Sequence, residues 1–198
     1  METSSFPPDV MGAVGPTQYI VAVNGRIRSF NKTTGVADGV LNLSPTVFFA
    51  SVLTPIIAPV TQVFTSDPRI RYDRFSGKWI ILIIDVACAN AGCTSYAANR
   101  ILIGVSNTST ITAGTVWTFS QFVGQANAFA DYPTLGVDIN AIYIGTNMFN
   151  LAGTPFLGTN GYVINRANLL AGAGYTVNTF LNLATAAGAG PYTPQGVG

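Results

Sequence analysis

From Pro8 onward, short apolar runs alternate with clusters of Gly, Asn, Asp, Pro and Thr, and almost none shows the 3.6-residue rhythm of an amphipathic helix. Runs such as "YIVAV", "WIILIID", "ILIGVS", "AIYIG" and "YVINR" are rich in β-branched and aromatic residues, which predicts strands bounded by turn residues. Three segments then line up at a spacing of about sixty residues. The first begins at "PDVMGAVGPTQYIVAVNGRIRSFNKTTG", the second at "SDPRIRYDRFSGKWIILIID" and the third at "ADYPTLGVDINAIYIGTNMF". Each opens on an aspartate, Asp9, Asp67 or Asp131, followed by a short strand and a polar turn. A strand opened by an aromatic comes next (Tyr19, Trp79, Tyr143), then a third strand ("RIRSF", "ILIGVS", "YVINR"). A fourth strand fits near Val116–Phe122 and Thr176–Leu181, and is hard to place within Val36–Phe49 of the first segment.

The expected fold is therefore all-β, a β-propeller with about three four-stranded antiparallel blades in this chain. Blade limits fall near residues 8–60, 64–124 and 128–184 of a single segment 1–198, with 185–198 a linker or the start of a further blade. A β-sandwich also has many short strands but does not require the recurring aspartate.

"PPDVMGAVGPTQYIVAVNGRIRSFNKTTG" resembles the opening blade of a family of secreted bacterial β-propeller proteins, whose first blade reads PPD-x-x-GAVGP-x-x-Y-x-x-x-VNG. "DPRIRYDRFSGKW", "ADYPTLGVD" and "TNMF" resemble the following blades, so the likeness runs over most of Pro7–Gly172. The resemblance implies the propeller fold and no settled activity. Members usually carry more than three blades, so the chain is expected either to join a second copy in a closed ring or to be one piece of a longer polypeptide. Three blades leave two faces bare, and with 48% hydrophobic residues the chain is expected to need a partner there.

Composition narrows the function classes. Charged residues are 9% of the chain, against roughly 25% in an ordinary domain. A net charge of +1 offers no field for nucleic acid or an anionic membrane. The apolar run "WIILII" is far below the roughly 20 residues of a spanning helix, so no membrane span is expected. No signal peptide is present in "METSSFPPD". Cys88 and Cys93 flank the small loop "ANAG" and are expected to form a short-range disulfide, with two free buried thiols as the alternative. A disulfide places the chain in an oxidising compartment, hence extracellular or at the cell surface. The sequons at Asn31, Asn42 and Asn107 matter where the source glycosylates.

Candidate chemistry is sparse. The chain has no His, and its one Glu is Glu2. Asp9, Asp67 and Asp131 at the channel mouth, with Arg71 and Tyr132, are the candidate ligand-binding residues. An aspartate before a strand either caps the turn by accepting backbone N–H bonds or lines a site for a cation or polar ligand. Recurrence in every segment favours the turn, because a fold constraint repeats while an active site usually occurs once. Calcium among Asp and carbonyl oxygens is a further possibility that no D-x-D-x-D spacing supports, so no cofactor, metal site or catalytic residue is assigned. Arg26 and Arg28 share one strand face, read as an outer surface. Tyr19, Trp79, Trp117, Tyr132 and Tyr143 are read as inter-blade packing before sugar-stacking faces, with Tyr132 set apart because it lies in a loop. "SNTSTITAGTVW" loosely resembles the Asp-box turn of sialidase-type propellers but lacks its Asp.

The expectation is a non-catalytic extracellular module for binding or assembly, with a glycan or protein partner and self-association. Two other classes stay open. One is a sialidase-type glycoside hydrolase or lyase completed by further blades, with an arginine cluster to clamp a carboxylate. The other is a structural subunit of a surface layer or filament.

Overall fold

The computed structural model describes residues 3–172, 174–183 and 191–196. It holds three four-stranded antiparallel sheets, each a meander in chain order. The first contains β1 (Met11–Val14), β2 (Gln18–Val23), β3 (Arg26–Asn31) and β4 (Ala37–Leu43). The second contains β5 (Gln62–Asp73), β6 (Lys78–Cys88), β7 (Arg100–Ser106) and β8 (Trp117–Val123). The third contains β9 (Phe129–Val137), β10 (Ala141–Phe149), β11 (Phe156–Asn165) and β12 (Val177–Phe180). The all-β class and the four-stranded units are as the sequence predicts, and no sheet closes on itself.

The strands themselves set two boundaries that the sequence left loose. The fourth strand of the first sheet lies at Ala37–Leu43, and the chain then turns into helix α1 (Pro45–Phe48). Ser44 caps that helix by accepting the Thr46 N–H, and Pro45 fits its first position because no N–H is needed there. The second unit starts earlier than residue 64, since β5 begins at Gln62. A second short helix, α2 (Arg166–Leu170), follows β11 and is capped by Asn165.

The run "WIILIID" is continuous because β6 is buried on both faces. Trp79, Ile81 and Ile83 pack towards the first sheet with Ile20, Ala22, Ile27 and Leu41. Ile80, Leu82 and Ile84 pack the other way, with Leu135, Ile142, Ile144 and Ile164 of the third sheet. A strand in the middle of a stack loses the apolar–polar alternation seen at a half-wet surface. The second sheet is therefore the centre of a row of three, with one hydrophobic layer on each side.

The first strands of the sheets lie side by side, β5 next to β1 and β9 next to β5. Residues 191–196 extend this row, lying against β9 and β10. The Thr134 hydroxyl donates to the Pro194 carbonyl at 2.6 Å, and a side chain on Gly145 would meet that same carbonyl. Of the stretch 185–198, residues 185–190 and 197–198 lie outside the described residues.

Strands β5 and β9 are each kinked at an X-Pro step. The β5–β6 register shifts between Ser66 and Arg69, and the β10–β9 register shifts opposite Tyr132 and Pro133. Proline has no N–H for the ladder, so Pro68 and Pro133 sit in bulges. The residue before each takes a left-handed backbone, with φ of 59° at Asp67, 47° at Tyr132 and 54° at Thr193 before Pro194. Asp9 has φ of 43° ahead of β1. The structural counterpart of Asp67 in the third sheet is thus Tyr132. Asp131, aligned with Asp67 by sequence, lies one residue earlier and corresponds to Ser66.

Asparagine side chains join one sheet to the next at these kinks. The Asn24 amide oxygen accepts the Asp67 N–H at 2.8 Å, and the Asn147 oxygen accepts the Thr193 N–H at 2.7 Å. Between the second and third sheets the bond runs from the Ala130 N–H to the Asn99 oxygen at 2.7 Å. Cys88 and Cys93 form the expected disulfide at the end of β6. Among the described residues, no helix is long and apolar enough to cross a membrane.

Candidate functional site

The entrances of the three first strands converge, and with them four of the five predicted ligand-binding residues. Asp67 is buried, and its carboxyl group meets Asp9 and Ser66 by side-chain hydrogen bonds. Asp131 also lies within hydrogen-bond reach of Asp67. The Asn24 amide stitches the group together: its nitrogen donates to the Asp9 carboxylate at 2.7 Å while its oxygen holds the Asp67 N–H. Tyr132 follows Asp131, and its ring lies under the Arg69 guanidinium at 4.2 Å. Arg69 is buried and donates to the Pro68 carbonyl at 2.9 Å.

Three carboxyl groups cannot all ionise at such range. Burial, the hydrogen bond to Asp9 and the charges of Asp131 and Asp9 push Asp67 up to about 7. Burial also raises Asp131, against the opposing effect of the Tyr132 N–H bond. Asp67 thus keeps its proton where ordinary carboxyls have lost theirs.

The expected turn-capping role is corrected at Asp67 alone, since Asp131 does accept a backbone N–H, that of Tyr132. Asp67 does not cap a turn by accepting N–H groups; it bridges carboxyls contributed by all three sheets. Turn capping falls to Asp73, whose carboxylate accepts the Phe75 N–H and the Ser76 hydroxyl in the β5–β6 hairpin. Four clefts of about 150 to 720 Å³ are lined by other side chains, and none of them includes the buried Asp67. Among the described residues, no group of three acidic, His or Cys side chains has the arrangement to hold a metal ion.

Stability should depend on pH through this cluster. In the unfolded chain Asp67 titrates in the ordinary carboxylate range, near 3.9, while in the fold it keeps its proton to about 7. Between those limits the native state binds more protons than the unfolded state, so stability falls as pH rises from about 4 to about 7 and levels off above. Asp131 and Asp85 shift in the same direction, whereas Asp38 and the surface Asp138 shift in the opposite one. The expected loss between pH 4 and pH 8 is on the order of 3 kcal/mol. Asp67→Asn should flatten the profile and raise stability at pH 8, as read by urea unfolding. An unchanged slope in that variant would remove the shared proton from the account.

Arg71 is not part of this group. It lies about 13 Å further along β5, at a separate cleft with Arg74 and Phe75. Of the aromatics, Trp79 is fully buried and Trp117 packs edge-on to Phe48 at 4.9 Å. Tyr143 bonds Asp138 at 3.0 Å. Tyr19, expected in inter-blade packing, lies on the bare outer face of the first sheet and is 38% exposed. Arg26 and Arg28 lie on that same face, Arg28 against the ring of Phe30.

Sequence reasoning missed Asn24, Ser66 and Arg69. Asn24 stood in a "VNG" motif that reads as a turn, and no local pattern shows that its amide reaches forty-three residues ahead. The usable signal was the proline after Asp67, Tyr132 and Thr193. Neither a protein-family model nor a curated protein matches this chain, so the functional reading rests on geometry alone.

Proposed function

We propose that the chain is a non-catalytic extracellular module for binding and assembly, a segment of a β-propeller that associates with a second copy through the outer face of its first sheet. The observation that carries this reading is that face itself. Val14, Tyr19, Val21 and Phe30 form an apolar groove of about 570 Å³ on a sheet whose opposite face is buried against the second sheet. Val14 is 51% exposed there. The same kind of surface, on the second sheet, is covered on both sides. A groove of this type on an antiparallel sheet suits another sheet face, and the net charge of +1 opposes no approach of like chains.

The placement of residues 191–196 supports the propeller reading. They stand to the third sheet as β5 stands to the first, held by an Asn-to-N–H bond of the same kind. The row thus has room for a further sheet beside the third. The Cys88–Cys93 disulfide is compatible with an oxidising compartment. The buried carboxyl cluster acts in this reading as a joint between sheets, without a substrate.

Tyr19→Asp places a charge in the groove without touching the inner core. It should return the chain to a monomer, with thermal stability within about 1 kcal/mol of the parent, as seen by sedimentation velocity and thermal unfolding. Association that persists in Tyr19→Asp would mean that the contact lies elsewhere.

A further inference from the structure

The cleft at Arg71 has a volume of about 720 Å³, within the range of small-ligand sites (roughly 300–1,000 Å³). It opens between the far ends of β5 and β9, away from the outer face of the first sheet. Arg71, Arg74 and Phe75 form one wall, and Leu135 and Val137 of β9 form the other. We infer that this cleft binds a small carboxylate-bearing sugar, such as a uronic acid.

The charge at the cleft is the first ground. The acidic side chain lining it, Asp73, is already neutralised: Arg166 reaches it from α2 with Nε and Nη2, each at 2.7 Å. Its remaining acceptor capacity goes to the Phe75 N–H and the Ser76 hydroxyl. Asp138, nearby on the β9–β10 turn, is occupied by the Asn140 and Ala141 N–H groups and the Tyr143 hydroxyl. That ion pair is the only one among the described residues, and among these Arg71 and Arg74 have no carboxylate partner. Arg71 is half-buried and spends one Nη1–H on the Ile70 carbonyl at 3.1 Å, which leaves most of its guanidinium donors free.

The kind of cation is the second ground. Both are arginines, whose planar fork matches a carboxylate with two parallel bonds. The third ground is the rest of the lining. The Phe75 ring and the Val137 side chain give apolar surface suited to the C–H face of a sugar ring. Inorganic phosphate would satisfy the arginines and leave this surface unused.

The test is an NMR titration of ¹⁵N-labelled full chain with glucuronate, glucose and inorganic phosphate. Glucuronate should give saturable shifts confined to 71–75 and 135–137, glucose none, and phosphate weaker binding. Arg71→Ala should weaken glucuronate at least about tenfold, the order expected for losing a charge-assisted bond pair. Arg71→Lys should recover only part of it. Arg74→Ala, at an exposed position, should weaken it as well and guards against loss through misfolding. The inference is overturned if glucuronate gives no saturable response, or if glucose matches it. It is equally overturned if phosphate binds as tightly at the same residues, or if both alanine variants bind like the parent.

Discussion

Trp79→Ala is expected to lower the unfolding free energy by about 3–5 kcal/mol, the usual cost of emptying a large aromatic site in a core. The indole is fully buried at the layer between the first and second sheets. Its ring fills the space beside Gly15, where any side chain would collide with it. Its Nε1–H donates to the Ser109 carbonyl at 2.8 Å, and Tyr72 packs edge-on at 5.1 Å. The ring therefore joins a turn of the first sheet to the β7–β8 connection of the second, and no neighbour can move into the void without opening that joint. Urea unfolding at pH 5, where Asp67 keeps its proton, measures the effect. A loss below about 1 kcal/mol would mean that the layer collapses around the missing ring and that the two sheets are not rigidly packed.

Arg166→Ala is expected to cost a similar amount, about 3–5 kcal/mol, for a different reason. Asp73 is completely buried in its side chain and Arg166 nearly so, at 10% exposure. Removing the arginine leaves a carboxylate in the interior with only neutral donors, which is the expensive half of breaking a buried pair. The pair also connects α2 of the third sheet to the β5–β6 hairpin of the second. In Arg166→Ala with Asp73→Asn the loss should be clearly smaller than the sum of the two single losses, since the uncompensated charge is gone. Strict additivity in that cycle would show that the two side chains contribute independently, contrary to the 2.7 Å contacts between them.

Much of the fold was legible in the chain because turns and β-branched runs are local signals. Asn24–Gly25 and Ser76–Gly77 mark hairpins, and both glycines take left-handed backbone, with φ of 86° and 68°. The four-stranded unit could be counted for the same reason. The fourth strand of the first unit was obscure because "GVADGVLNL" carries Gly and Asp within the strand, and its pairing to β3 slips between Arg28 and Phe30.

The candidate site was legible in its members and not in its logic. Asp9, Asp67 and Asp131 were picked out by recurrence, yet the repeated feature is the left-handed residue before a proline, occupied by Asp67, Tyr132 and Thr193. Asp131 joins the cluster from the neighbouring position, so side-chain identity gave the right group by a mistaken alignment. Burial decides the chemistry of Asp67, and burial comes from the neighbouring sheets. Tyr19 shows the converse. It has the pattern of a packing residue, and only its place at the end of the row exposes it.

On the proposed reading, the bare outer face of the first sheet is a contact surface for another copy of this chain. Multi-angle light scattering on a sizing column tests it most directly, with the parent chain and Tyr19→Asp run side by side over a range of concentrations. The account predicts that the parent runs at a multiple of the 20.7 kDa chain mass and that the variant runs at the chain mass itself. A parent that stays at the single-chain mass at the highest concentrations, with the same profile as Tyr19→Asp, would contradict it.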